Sequence, residues 1–251
     1  MNNLLFSVLV GTGAGIIGTG LGGAIAFLLN NPGKRFLSTL LSFSSGLMIA
    51  VTCFDLMPNA ISIGSLFHGL TGIVAGTVMI IICQELIFRT DRKKRSGQVL
   101  GVRSKNYLRT GILMGIGIAL HNFPEGLAIG SGFTAVESYG IGLSLVIAMH
   151  DIPEGIAMAT PMRMGGMKKP LVFLSALLAG VPTGIGALIG YLLGEISPYF
   201  ISLCLGFAGG AMLYITCNEL IPESNDLHRG RISSVGLVCG VIAGIWISSI
   251  I

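Results

Sequence analysis

The chain has 251 residues, 52% of them hydrophobic and 10% charged, with a formal net charge of +4. A soluble domain carries about 25% charged residues, and the mean hydropathy of +0.84 excludes that class. Runs of roughly 20 apolar residues recur, each able to cross a ~30 Å hydrocarbon core as a helix, so the sequence predicts an all-α, polytopic membrane protein.

Span 1 is predicted over 4–29. Its opening, MNNLLFSVLVGTGAGIIG, lacks a basic n-region and reads as a span rather than a cleaved signal. Gly13, Gly15 and Gly18 fit G-x-G-x-x-G, but no strand precedes them and they lie inside a span, which excludes a dinucleotide fold. The seven glycines from Gly11 to Gly23 are expected to let span 1 pack closely on its neighbours. Span 2 (36–57) ends on DLMPNA, Asp55–Ala60, and span 3 (66–88) carries Glu85 near its inner end as a solvated helix-end group. The basic stretch 91–105, DRKKRSGQVLGVRSK, follows. It reads as a short cytoplasmic loop, with lipid head-group contact as the alternative, and not as a nucleic-acid site.

Spans 4 (108–130) and 5 (138–160) carry HNFPEG at His121–Gly126 and HDIPEG at His150–Gly155. Span 6 (171–193) holds AGVPTG, span 7 (199–221) ends on ELIPES, Glu219–Ser224, and span 8 (232–250) closes the chain. All eight form one predicted transporter domain, 1–251. The five cysteines, Cys53, Cys83, Cys204, Cys217 and Cys239, lie in apolar stretches without a C-x-x-C pair and are expected to be buried free thiols.

The fifteen Lys and Arg residues fall in or at the edges of the loops between spans 1 and 2, 3 and 4, 5 and 6, and 7 and 8, and nowhere else. Positive charge marks the cytoplasmic side. Both termini therefore face out, which an even span number requires.

Glu125, Asp151 and Glu154 lie deep. Each mid-membrane charge costs about 2.5–3.5 kcal/mol, so three left uncompensated would cost about 8–10 kcal/mol. Such groups are protonated or hold a cation. His121 and Glu125 stand at i and i+4 and share a face, as do His150 and Glu154. Pro124 and Pro153 leave the carbonyls of Leu120 and Met149 without helical donors. Gly126 and Gly155 leave space for a partner helix. Two imidazoles and two carboxylates from neighbouring helices make a four-ligand N/O site suited to Zn²⁺ or a similar divalent ion. Asn122 and Asp151 would add ligands or support them.

Asp55 and Glu219 each stand three residues before a proline, at opposite faces of the membrane: Asp55 near the outer surface, Glu219 near the cytoplasm. They read either as the mouths of a transport pathway or as plain helix-end groups. A repeated motif at opposite faces points to an inverted repeat, spans 1–3 against spans 6–8 around spans 4–5. Glu223 and Asp226 are expected in a cytoplasmic loop.

HNFPEGLAIG and HDIPEGIAMA, with eight spans and outward termini, resemble the ZIP (Zrt/Irt-like) family of divalent metal transporters over the whole chain. The resemblance implies import of Zn²⁺, often with Fe²⁺, Mn²⁺, Co²⁺ or Cd²⁺, across the plasma membrane into the cytoplasm. It implies a metal site of His121, Asn122, Glu125, His150, Asp151 and Glu154, and a homodimer in the lipid bilayer. The metal is cargo, with no permanent cofactor. Two features depart from the family pattern. Val181 stands where many bacterial members place a glutamate that helps bind a second metal, and the loop between spans 3 and 4 has no His-rich segment. The short loops are similar to those of bacterial members. An intramembrane metalloenzyme is the competing class, but H-E-x-x-H and a spare general base are missing. A cation channel lined by the same carboxylates is a third.

Overall fold

The structure, a computed structural model, describes the backbone of residues 3–29, 32–95 and 103–249, and their side chains except at 87–95 and 103–106. The side chains of the basic stretch 91–105, with six of the fifteen Lys and Arg residues, lie outside the described residues. Among the described residues, eight helices are long and apolar enough to cross a membrane: Asn3–Leu28, Lys34–Ile63, Leu66–Leu86, Tyr107–Ala135, Glu137–Met164, Lys169–Gly194, Pro198–Leu227 and Arg231–Ser248. They are spans 1 to 8 below. The all-α expectation is met, and each predicted span has its helix.

Spans 2 and 7 run further than their sequences suggest. In both, the helix widens into one π-helical turn, Thr52–Leu56 and Thr216–Leu220, then continues as Met57–Ile63 and Ile221–Leu227. The cause is local. Pro58 and Pro222 have no N–H, and their rings crowd the carbonyl one turn back. The chain closes the gap with a longer bond, Met57 N–H to the Thr52 carbonyl in one helix and Ile221 N–H to the Thr216 carbonyl in the other. Proline therefore marks a wide turn inside each span and not its end. Glu223 and Asp226, expected in a loop, are helical residues of this continuation. The helix carrying Glu85 likewise runs on to Arg95, so Glu85 is not at a helix end.

The spans form two groups. Spans 1, 4, 5 and 6 pack on one another, while span 2 pairs with span 8 and span 3 with span 7. The groups meet where span 4 lies on span 7 and span 5 on span 2. Spans 5 and 7 have 67% of their most apolar stretch buried and spans 3 and 8 only 22%, so the former are central and the latter peripheral.

Close approach fixes this arrangement. A side-chain carbon at Gly155 would strike the Thr19 carbonyl of span 1, and one at Gly126 would strike the Thr183 carbonyl of span 6. The space left by the two motif glycines is thus taken by spans 1 and 6. In the paired spans, Gly240 lies against the Phe43 carbonyl and Gly76 against the Phe207 carbonyl. A shift of 164 positions carries Phe43 to Phe207, Gly76 to Gly240 and Thr19 to Thr183, and so relates these contacts in pairs.

The outward faces are apolar. Leu9 and Ile17 of span 1, Val74 of span 3 and Ile242 of span 8 are each more than half exposed, which suits a hydrocarbon solvent. The expectation of five buried thiols fails for the same reason. Cys204 is buried and Cys83 half-buried, but Cys53, Cys217 and Cys239 lie exposed on these outer faces. Apolar sequence context in a membrane helix specifies lipid as readily as protein.

Candidate metal site

Spans 4 and 5 run through Pro124 and Pro153 as continuous helices and bring their polar motifs together in the interior. His121, Asn122, Glu125, His150, Asp151 and Glu154 are each at most 1% exposed. The pairing is crossed between helices. His121 Nε2 lies 2.5 Å from Glu154 Oε2, and His150 Nε2 lies 2.8 Å from Glu125 Oε1. His150 Nδ1 lies 3.1 Å from the Val146 carbonyl. A carbonyl only accepts, so Nδ1 carries a proton. The short Nε2–carboxylate contact then needs a second proton or a cation between two sets of lone pairs.

The six residues do not form one even cluster. Glu125, His150 and Asp151 each place a ligand atom within 4.8 Å of the others, while His121 and Glu154 pair beside them. Asp151 contributes both oxygens without hydrogen-bond partners, as Glu125 contributes Oε2 and His121 its Nδ1. Each buried unsatisfied group costs about 1–3 kcal/mol. A set of orphaned oxygen and nitrogen acceptors of this kind fits a divalent cation. Asn122 turns its amide to the Ala179 carbonyl of span 6, at 2.8 Å, and keeps Oδ1 unpaired. Val181 lies half-buried two residues further along span 6.

A cavity of about 30 Å³, roughly one water in size, has His121, Glu154, Glu219 and Glu223 among its lining residues. Gln84 of span 3 donates its amide to Glu219 Oε1. Asp55 sits in the other π-helical turn and is 5% exposed. Asn59 donates to its Oδ1 at 2.8 Å, and the buried Tyr139 hydroxyl of span 5 faces the same carboxyl. Asp55 and Glu219 thus lie a wide turn inside their helices and not at the ends.

Two lining groups escaped the sequence. Glu223 follows Glu219 by four residues on the same helical face, a signal hidden because Pro222 reads as the end of the span. Ser44 of span 2 reaches the site with its hydroxyl 3.4 Å from Glu154 Oε1 and 3.3 Å from the His150 carbonyl. A lone serine among apolar residues carries no spacing that would single it out.

Eight membrane-length helices, with an imidazole–carboxylate cluster buried among them, define a polytopic membrane protein. The chain belongs to the ZIP family: the model described as ZIP Zinc transporter matches residues 89–251. It is 31% identical to the zinc transporter ZupT of Clostridium perfringens, with 96% of this chain and 94% of that protein covered. It is 34% identical to the zinc transporter ZTP29 of Arabidopsis thaliana, covering 92% and 90%. The ZupT of Streptococcus mutans matches at 31% over 96% of each chain. The family is one of transporters, not enzymes.

Proposed function

We propose that this protein carries divalent metal ions, zinc first, with iron, manganese, cobalt and cadmium as further candidates, across the plasma membrane into the cytoplasm. The observation that carries this is the interior cluster itself: two imidazoles and three carboxylates, fully buried, with acceptors that no protein donor reaches and that suit a cation. Family membership and the zinc transporters among its relatives support the cargo.

In this mechanism Glu125, His150 and Asp151 hold the ion first, and His121 with Glu154 receives it on the side of the cavity. Glu219 and then Glu223 lead away from the site. Asp55 forms the mouth on the opposite side. Binding displaces the protons shared within the two His–Glu pairs. The partition of basic residues supports outward termini and a cytoplasmic exit at Glu219. The matched π-turns and the contacts repeated 164 positions apart support an inverted repeat, spans 1–3 against 6–8. One transporter domain per chain, assembled as a homodimer with lipid over the remaining apolar rim, completes the proposal.

The test is radiometal uptake into proteoliposomes. Saturable Zn²⁺ entry, competed by other divalent ions, is expected. Entry without saturation would leave a channel, and no entry would refute the proposal.

A further inference from the structure

Glu125 and Glu154 occupy matching places in their two motifs, yet their surroundings differ at one atom. Glu154 has both oxygens engaged, Oε2 with His121 and Oε1 with Ser44. Glu125 has Oε1 with His150 and leaves Oε2 unpartnered. The difference comes from the facing spans. The shift of 164 that relates span 2 to span 7 carries Ser44 to Ala208, a buried residue without a hydroxyl.

Ser44 also ties the two halves of the fold together. Spans 2, 3, 7 and 8 form one packing group and spans 1, 4, 5 and 6 the other. Both hydrogen bonds made by Ser44 run from one group to the other, as does the contact of Asp55 with Tyr139. Others stay within a group, as from Thr19 to the Ala176 carbonyl, Asn122 to the Ala179 carbonyl, or Ser202 to the Ala60 carbonyl. The hydroxyl has one proton and faces two acceptors at 3.3 and 3.4 Å. It is a long, easily broken tie, and it is made directly to a residue of the site.

From this geometry we infer that Ser44 is a positioning residue of the transport reaction: it holds Glu154 on the His121 side, apart from the Glu125–His150–Asp151 triad, so that the ion leaves the triad readily. The inference rests on the transport function proposed above. Without the hydroxyl, Glu154 Oε1 becomes a free buried acceptor and turns to the ion as a fourth ligand. The ion is then bound more tightly and released more slowly.

The experiment compares the wild type, Ser44→Ala and Ser44→Thr in zinc uptake by proteoliposomes, and in equilibrium dialysis of the purified proteins with Zn²⁺. In Ser44→Ala, KM, the dissociation constant and the maximal rate should all fall about threefold or more, the scale expected when one hydrogen bond of ordinary net strength is lost. Ser44→Thr keeps the hydroxyl and should restore all three. A merely structural role would lower the amount of folded protein without tightening binding. Unchanged constants, a raised KM, or a Thr variant as impaired as Ala would overturn the inference. If Ser44→Ala does not reach the membrane, Ser44→Cys, with its weaker donor, must shift the constants the same way. Saturable wild-type uptake with unaltered variants defeats the role of Ser44 alone. Absence of wild-type uptake defeats the transport function and this inference together.

Discussion

At the scale of single residues, the site turns on which acceptors have partners. Asp151 has no hydrogen-bond donor for either oxygen, only His150 Nε2 at 3.7 Å from Oδ1, and Glu125 lacks a donor at Oε2. Removing one ligand from a three-atom cluster leaves two, too few to hold an ion against water. His150→Ala and Glu125→Gln should each lower kcat/KM for zinc at least tenfold, about 1.4 kcal/mol or more, while the protein stays folded in the membrane. Because the ligands must lose protons to bind metal, uptake should also weaken as external pH falls. Normal kinetics in both variants would remove the triad from the pathway. Much of this was legible beforehand, since a His and a Glu at i and i+4, written twice, leave few other uses for such residues in a bilayer. Their pairing was not legible. Sequence spacing joins each His to the Glu of its own helix, but the fold joins it to the Glu of the other.

Val181 raises a question of number at the same scale. A second cation beside the first is repelled by it and needs further negative charge close by. Asn122 brings a neutral amide oxygen and no charge, and Val181, two residues beyond the Ala179 carbonyl that holds that amide, is uncharged. One tightly held Zn²⁺ per chain is therefore expected in equilibrium dialysis, rising towards two in Val181→Glu. Two full sites in the wild type would show that the six motif residues need no help from span 6.

At the scale of elements, glycine and proline set the geometry. Gly155 lies directly on the Thr19 carbonyl, while Gly13 has no neighbour within 4 Å beyond the side chain of Ile17 at 4.0 Å. Gly155→Leu should destabilise the fold by about 1–3 kcal/mol or more, the cost of overpacking, and Gly13→Ala should be nearly neutral. Thermal unfolding in detergent distinguishes them, and equal midpoints would mean that spans 1 and 5 do not pack as described. The glycine-rich face of span 1 was visible in the sequence. The π-turns were not, because a proline preceded by a carboxylate reads equally as a helix end. Whether the helix stops or widens depends on what covers the segment beyond it. Here the Ala60 carbonyl accepts from Ser202, and Ser224 bonds Ser38, so both continuations are tied down.

At the scale of the whole molecule, charge and packing bear on different halves of one question. The partition of the fifteen basic residues carries the proposed side of each loop, and the helices carry how far along its span each polar group lies. Together they fix where a probe should reach. Ser224 is a poor reporter, fully buried among the hydroxyls of Ser38, Ser42 and Ser233. Ser62 and Asp226 are exposed near the far ends of spans 2 and 7, beyond the wide turns holding Asp55 and Glu219. The five native cysteines must first be replaced, since three of them are exposed. In that background, Ser62→Cys should react with a membrane-impermeant thiol reagent applied outside intact cells. Asp226→Cys should react only after the membrane is opened. Labelling of both from the same side would undo the proposed topology and the inverted relation of spans 2 and 7. It would also deprive the Asp55-to-Glu219 path of its direction, while leaving the buried cluster between spans 4 and 5 untouched.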